Sequence, residues 1–161
     1  MAGDSTVPDF RLDGRTALVS GAGRGLGVGM AHGLSRAGAH VVLMSRTRAE
    51  LDNVAAEIIA EGGTADVLVC DATDDAAVQA AIGGLPALDI LVNNAGTNIP
   101  QPFVKVEAAA LDTMLNLNVR AAFIVAQAAV NRMLWDEDRS ERGGAVVNIS
   151  SQLGRVALRD R

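Results

Sequence analysis

The sequence predicts an α/β fold in which a parallel β-sheet is covered by helices on both faces. Short apolar runs recur along the chain and are almost continuous, as expected for strands buried on both faces; they are 17–19, 41–44, 67–70, 90–92 and 145–149. The segments between them carry apolar residues three and four positions apart, such as Leu51, Val54 and Ile58, which is helical spacing. Glycine pairs at 62–63 and 83–84 end two such segments. This alternation is typical of a doubly wound parallel sheet of about five strands.

Length and composition favour a single domain over residues 1–161, with residues 1–13 as a tail. The net charge of −5 and the lack of a basic run argue against a nucleic-acid partner. The single cysteine, Cys70, excludes an intrachain disulfide and fits a cytoplasmic location. No signal peptide and no apolar run of membrane-spanning length are expected, so no membrane association is predicted. The two histidines, His32 and His40, form no metal-ligand spacing.

A glycine-rich turn follows the first predicted strand and precedes a predicted helix. After Ser20 it comprises Gly21, Ala22, Gly23, Arg24, Gly25, Leu26 and Gly27. Glycines let the backbone approach a pyrophosphate closely, and the free N–H groups of a helix N-terminus attract its charge. Leu26 replaces the last glycine of the usual three-glycine dinucleotide pattern. The turn therefore predicts a Rossmann-like nucleotide site, and the alternative is a glycine-rich connection that binds nothing.

The other predicted strands also end in small or polar residues, which parallel strands bring to one edge of the sheet. These residues are Ser45 and Arg46 on the second strand, Asp71 and Ala72 on the third, Asn93, Asn94, Ala95 and Gly96 on the fourth, and Ser150 and Ser151 on the fifth. Each set is also compatible with an ordinary turn; Asp71, for example, could begin a turn before a helix capped by Thr73.

A long helix is predicted over about 106–135, with an apolar stripe through Leu111, Met114, Ala121 and Val125. Asn118 falls on the same stripe. A buried asparagine without partners costs about 1–3 kcal/mol, so Asn118 is expected to have a polar task. The alternative is a core asparagine that is hydrogen-bonded to a neighbouring loop.

In this order and on these elements, the motifs resemble those of short-chain dehydrogenases/reductases, from about Phe10 onward. That family's turn reads Thr-Gly-x-x-x-Gly-x-Gly, and here Ser20 replaces the threonine while keeping the hydroxyl. Asn-Asn-Ala-Gly at 93–96 is the more specific signature. The resemblance implies hydride transfer between a nicotinamide cofactor and a small-molecule alcohol/carbonyl substrate, by a homotetramer or homodimer.

The resemblance also implies roles for individual residues. Residues 21–27 and 94–96 would contact the cofactor, and Asp71, beside Ala72, would bind the adenine amino group. Arg24 and Arg46, with Ser45 where NAD enzymes often have an acid, favour NADP over NAD. The alternative is that both arginines are solvated surface residues. Ser151, three residues before Gly154, would be the catalytic serine, and Asn118 would hold a water in a proton relay.

The family's Tyr-x-x-x-Lys motif would follow Ser151, yet the chain contains no tyrosine and only one lysine, Lys105. The 161 residues are therefore expected to be inactive alone, as the N-terminal portion of a longer enzyme. Loss of the later elements would expose apolar surface on the fifth strand and on the helix that carries Asn118. An inactive cofactor-binding fragment or binding module is the alternative, and a methyltransferase with a similar sheet is a third hypothesis.

Overall fold

A five-stranded parallel sheet forms the centre of the computed structural model, which describes residues 10–152 and 156. The strand order is β3-β2-β1-β4-β5, with all neighbouring pairs parallel. The strands are β1 (Thr16–Ser20), β2 (His40–Ser45), β3 (Thr64–Val69), β4 (Ile90–Asn93) and β5 (Ala145–Asn148). The predicted doubly wound α/β fold is confirmed, and the order of the strands reverses between β1 and β4.

Helices connect the strands and end largely where the glycine pairs predict. They are α1 (Leu26–Arg36), α2 (Arg48–Ala60), α3 (Asp75–Gly83), α4 (Ala108–Leu115), α5 (Ala122–Met133) and α6 (Arg139–Arg142), with a short 3-10 helix at Phe103–Lys105. Gly62, just after α2, has a φ of 86°, a conformation that glycine adopts without strain. Asp74, and not Thr73, caps α3, because its side chain accepts the N–H of Ala77.

Each face of the sheet carries its own apolar layer. One layer joins the sheet to α1 and α2 through buried residues that include Val19, Leu43, Leu51 and Ile58. The other joins it to α3 and α5 through residues that include Leu18, Met44, Val78 and Val125. Successive side chains of a strand point to opposite faces, so adjacent residues such as Leu18 and Val19 serve different layers.

Burial on both faces holds for the central strands β1, β2 and β4, whereas the expectation is wrong for β3 and β5. These two are the edge strands of the sheet, each with a neighbour on one side only. Every residue of β5 is exposed, including Val146 and Val147. The predicted apolar exposure of the fifth strand is therefore present.

The predicted helix over 106–135 is a continuous helical segment from Ala108 to Met133, interrupted by a π-helical turn at Asn116–Ala121. The wider turn changes the direction of side chains on either side of it. As a result Leu111 and Asn118 are exposed while Ala121 and Val125 are buried, so the predicted single stripe is wrong in its first half.

The segment Ala108–Met133 is long and apolar enough to cross a membrane by length and composition alone. The apolar runs of the sequence predict no segment of that length. Its α5 part packs into the core through Val125, Ala128, Ala129 and Met133. A core helix can be as long and as apolar as a membrane-spanning one, so length and composition alone do not distinguish the two. The other side of the segment exposes Leu115, Val119 and Phe123, so the apolar exposure predicted for this helix is also present.

A buried charge cluster holds the amino edge of the sheet. The side chain of Asp89, just before β4, is only 2% exposed, and it accepts the backbone N–H of Thr16 at 2.9 Å. Its carboxylate also lies 3.2 Å from Arg15, 3.2 Å from Arg139 and 2.9 Å from Arg142. Burial alone would raise the pKa of Asp89, but the Thr16 N–H and the arginines outweigh it and lower the pKa. The cluster ties α6 to the starts of β1 and β4.

Replacing the carboxylate by an amide, Asp89→Asn, should lower the free energy of unfolding by about 3 kcal/mol, because partly buried guanidinium groups lose the counter-charge of Asp89. Urea denaturation of the intact protein at pH 7 measures this change. Asp52→Asn is the matched control, since Asp52 pairs with Arg48 at 3.4 Å on an exposed helix face and should cost under about 1 kcal/mol. Equal effects of the two changes would contradict the assigned role of Asp89.

The wild type and the Asp89→Asn variant should also differ in how their stability responds to acid. The folded-state pKa of Asp89 is lowered, so its stabilisation is complete above about pH 4, the ordinary aspartate value, and is lost as the pH falls towards the folded-state pKa. The stability difference between the wild type and Asp89→Asn should therefore shrink on acidification.

Candidate functional site

The principal cleft, about 900 Å³ in volume, lies at the carboxyl edge of the sheet beside the point where the strand order reverses. Open parallel sheets bind ligands at this position, and the volume is within the range of small-molecule sites. Residues that follow β1, β2, β3 and β4 all contribute to its walls. Every predicted cofactor residue lines it except Ala22 and Gly27, which are buried beneath the glycine turn.

The glycine turn is shaped by close backbone contacts on one side and open space on the other. A Cβ on Gly27 would collide with the carbonyl oxygen of Gly21, and one on Gly21 would lie 3.0 Å from the Cα of Ala95. Gly25 has a φ of 61° and nothing within 4 Å of its missing Cβ. Ala22 donates its N–H to the Met44 carbonyl at 3.2 Å, which fixes the turn against β2. The turn thus presents bare backbone to the cleft at Gly25.

The hydroxyl of Ser20 joins the ends of β1 and β4. It is fully buried, donates to Asn93 Oδ1 at 3.2 Å, and accepts the backbone N–H groups of Asn94 at 2.9 Å and Ala95 at 3.0 Å. The side chain of Asn94 donates in return to the carbonyls of Ser20 and Gly21 at 3.1 and 3.3 Å. This junction brings the glycine turn beside Ala95 and Gly96 on the cleft wall.

Asn93 extends the same bracing to the other side of β4. Its Nδ2 donates to the Ala122 carbonyl at 2.7 Å and to Asn148 Oδ1, at the end of β5, at 3.1 Å. The Asn-Asn-Ala-Gly segment therefore connects the ends of β1, β4 and β5 through its hydrogen bonds.

Two arginines line the part of the cleft next to the end of β2. Arg24, in the glycine turn, is exposed and forms no ion pair with any residue that the structure describes. Arg46 lies across from Asp71, with 3.8 Å between Nη1 and Oδ2. The hydroxyl of Ser45 accepts the Thr47 N–H at 3.3 Å and keeps its own hydrogen for a ligand.

Asp71 both forms a turn and lines the cleft, so the two interpretations of it are compatible. It accepts the backbone N–H of Thr73 at 2.9 Å and the Thr73 hydroxyl at 2.8 Å. The backbone hydrogen bond, then the hydroxyl and the charge of Arg46, lower the pKa of Asp71 despite partial burial. Asp71 is therefore ionised at neutral pH and can accept a hydrogen bond from a ligand amino group.

Asn118 is exposed, contrary to the expected burial, and its side chain is held by the loop after Gly96. Its Oδ1 accepts the Thr97 N–H and its Nδ2 donates to the Thr97 carbonyl, each at 2.8 Å. The alternative interpretation of Asn118 is thus correct in its partner, a neighbouring loop, and wrong in placing the residue in the core. One N–H and one lone pair of the amide remain beyond these two bonds.

Ser151 follows the end of β5 at the same edge of the sheet and is exposed. Among the described residues, neither it nor Asn118 lines the principal cleft. Gly154, which selects Ser151 over Ser150 by spacing, lies outside the described residues.

The structure adds lining residues that the sequence analysis missed. Thr113, Asn116 and Leu117 reach the cleft from the end of α4 and the π-helical turn. No simple 3.6-residue period predicts that placement. Glu50 was also missed: a Cβ on Gly23 would lie 2.7 Å from its Oε2, so its carboxylate stands against the glycine turn. Its position in the first turn of α2, five residues after Ser45, was the available signal.

Cys70, just after β3, also lines the cleft. From the sequence it served only to exclude an intrachain disulfide and to support a cytoplasmic location. Burial, followed by the charges of Asp74 and Asp71, raises the pKa of its thiol. It is therefore a neutral thiol at pH 7.

Comparison with known proteins identifies the family. The family model for short chain dehydrogenases matches residues 15–160. L-xylulose reductase of Mesocricetus auratus is 40% identical over 152 residues, which cover 93% of this chain and 58% of the reductase.

Two solved structures are similar throughout the chain. A putative short-chain alcohol dehydrogenase from Sinorhizobium meliloti 1021 has a TM-score of 0.84 at 41% identity, over 95% of this chain and 60% of that one. A gluconate 5-dehydrogenase from Burkholderia cenocepacia J2315, solved with NADP and tartrate, has a TM-score of 0.84 at 36% identity, over 94% of this chain and 59% of that one.

The chain thus spans about three-fifths of the length of these relatives. The family match over almost the whole chain, together with the cleft at the glycine turn, leads to one conclusion: this chain belongs to the short-chain dehydrogenase family.

Proposed function

We propose that the protein transfers hydride between NADP(H) and a small-molecule alcohol/carbonyl pair. The observation that carries this proposal is the bare backbone of Gly25 facing the cleft beside the guanidinium of Arg24, which forms no ion pair with a described residue. An alternative is a binding module that holds the cofactor without turnover, which the absence of tyrosine from the 161 residues favours.

The described residues fit a nicotinamide dinucleotide. The open side of Gly25 leaves room for phosphate groups next to the N-terminus of α1, where free N–H groups and the helix dipole favour negative charge. Ala95 and Gly96 present little side chain to a ribose. Asp71, as a carboxylate, would accept the adenine amino group. The predicted cofactor residues that line the cleft are thus compatible with one extended ligand.

The charges next to the end of β2 favour NADP over NAD. Arg24, Ser45 and Arg46 are donors that can bind a 2′-phosphate, and no carboxylate stands at position 45 to repel one. Arg46 would exchange its 3.8 Å contact with Asp71, an exposed and therefore weak ion pair, for the phosphate. The relative solved with NADP is consistent with this preference.

For catalysis, NADP(H) would supply or accept the hydride, and residues of this chain would position the substrate and its proton. Ser151, at the end of the strand next to β4, would hydrogen-bond the substrate oxygen as charge develops on it. Asn118 would help to place a water through the hydrogen-bonding capacity that its contacts with Thr97 leave available. Thr97 is fixed by the same contacts at the cleft wall.

No group among these residues stands out as the general acid, because tyrosine is absent and Lys105 precedes α4. We infer that the intact enzyme supplies that group from residues beyond these 161, and that the shorter chain binds cofactor without turnover. The exposed side chains Leu115, Val119 and Phe123 would then be covered in a homodimer or homotetramer. A cytoplasmic enzyme without nucleic-acid or membrane partners remains our prediction.

The substrate is proposed only as a class. Two of the relatives described above are named for L-xylulose and gluconate, which are polyhydroxylated molecules. Small polyhydroxylated ketones are therefore the first substrates to test.

Removing either arginine, as Arg24→Ala or Arg46→Ala, should weaken NADP+ binding about tenfold or more, because each loses a charge-assisted hydrogen bond to the 2′-phosphate. Isothermal titration of the intact protein measures this against NAD+, for which the affinity should change less than about threefold. Arg48→Ala is the control, since Arg48 pairs with Asp52 outside the cleft. Equal losses for NADP+ and NAD+ would contradict the assignment.

Ser151→Ala should lower kcat of the intact enzyme about 10²- to 10³-fold while leaving NADP+ affinity unchanged, because it removes a donor to the developing oxyanion. Steady-state assays with L-xylulose as the first substrate, combined with NADP+ titration, test this. Ser150→Ala serves as the neighbouring control. A larger loss in Ser150→Ala would transfer the role to that residue.

A polypeptide of verified mass containing only residues 1–161 should consume no NADPH with any carbonyl substrate, because it has no tyrosine to donate the proton. Absorbance at the NADPH band over time provides the measurement. The intact protein, assayed beside it, is the positive control. Steady consumption by the short chain would refute this part of the proposal.

A further inference from the structure

Glu50 is a carboxylate on the wall of the cleft that the proposed function leaves unused. It lies in the first turn of α2 and is half-buried. It makes no hydrogen bond or ion pair with the residues that the structure describes, in contrast to Glu57 and Glu61 further along the same helix, which contact His32. A carboxylate in a cleft without a protein partner is available to a ligand.

Glu50 lies close to a residue that would contact the adenosine ribose. The point where a Gly23 Cβ would stand is 2.7 Å from Glu50 Oε2 and 3.1 Å from Ser45 Oγ. The hydroxyl of Ser45 and the carboxylate of Glu50 therefore converge on the same side of the glycine turn. A group bound by Ser45 would be a close neighbour of Glu50.

We propose, on the basis of the cofactor site assigned above, that Glu50 determines cofactor selectivity by supplying the carboxylate that β2 lacks. It accepts a hydrogen bond from the unphosphorylated ribose 2′-hydroxyl of NAD(H), and it repels the 2′-phosphate of NADP(H). Arg24 and Arg46 favour the phosphate, and Glu50 opposes them. The cleft therefore takes both cofactors, with a smaller preference for NADP than its arginines alone would give.

The charge balance of the region agrees with this assignment. Around the end of β2, the guanidinium groups of Arg24 and Arg46 face the carboxylates of Glu50 and Asp71 across one cleft. Asp71 is already engaged by Thr73 and lies near Arg46. Glu50 is the carboxylate whose acceptor capacity is unused by the described residues, and a sugar hydroxyl is a donor of the kind it needs.

The test is a comparison of NADP+ and NAD+ dissociation constants for the intact protein by isothermal titration. Glu50→Gln is nearly isosteric and removes the charge. It should tighten NADP+ binding and weaken NAD+ binding, each about threefold or more, so that the ratio of the two constants shifts about tenfold. Glu50→Lys, which reverses the charge, should move the ratio further in the same direction. Melting temperatures establish that each variant is folded.

Glu57→Gln is the matched control, because it removes the same charge from the same helix outside the cleft. Its ratio should equal that of the wild type. If Glu50 only stabilises the N-terminus of α2, where acidic residues are favoured, Glu50→Gln will also keep the wild-type ratio, which overturns the inference. If the wild type binds neither dinucleotide, the proposed function fails, and the inference fails with it. Binding of both cofactors with an unchanged ratio removes the inference alone.

Discussion

The site depends on the buried hydroxyl of Ser20, which joins the ends of β1 and β4 through partners more than 70 residues away in the sequence. It satisfies the N–H groups of Asn94 and Ala95 at the place where the sheet reverses its strand order. A buried donor left unsatisfied costs about 1–3 kcal/mol, and these two N–H groups are partly buried. The hydrogen bonds therefore hold the glycine turn against the Asn-Asn-Ala-Gly segment, and both line the cleft.

The polar groups at the two edges of the sheet differ in whether they are bonded within the protein. At the amino edge, the Asp89 carboxylate is surrounded by arginines and accepts a backbone N–H, so its hydrogen bonds and ion pairs are all made within the fold. At the carboxyl edge, Arg24 and Glu50 are left without protein partners among the described residues. An exposed cleft tolerates solvated charges that a core cannot, so these two groups remain available to a ligand.

Much of this arrangement follows from the sequence alone. Continuous apolar runs, glycine pairs and strand-end motifs predict the strands, the sheet and the part of the cleft that the glycine turn and the strand ends form. The exposure of β3 and β5 does not follow, because strand order decides which strands become edges. The exposure of Asn118 does not follow either, since a π-helical turn breaks the period on which the stripe was counted. The cleft position of Glu50 follows only weakly from its place five residues after Ser45, because its proximity to Gly23 depends on how α2 packs beside the glycine turn.

The π-helical turn at Asn116–Ala121 sets the rotational phase of two helices relative to each other. Thr113, before the turn, and Asn116, its first residue, line the cleft, whereas Val125 and Ala128, after the turn, belong to the core. Deleting one residue from this turn would rotate everything after it by about 100° about the helix axis. Val125 would then leave the core, or Thr113 would leave the cleft. The length of this turn is therefore constrained by cleft and core at once, although few of its own residues are buried.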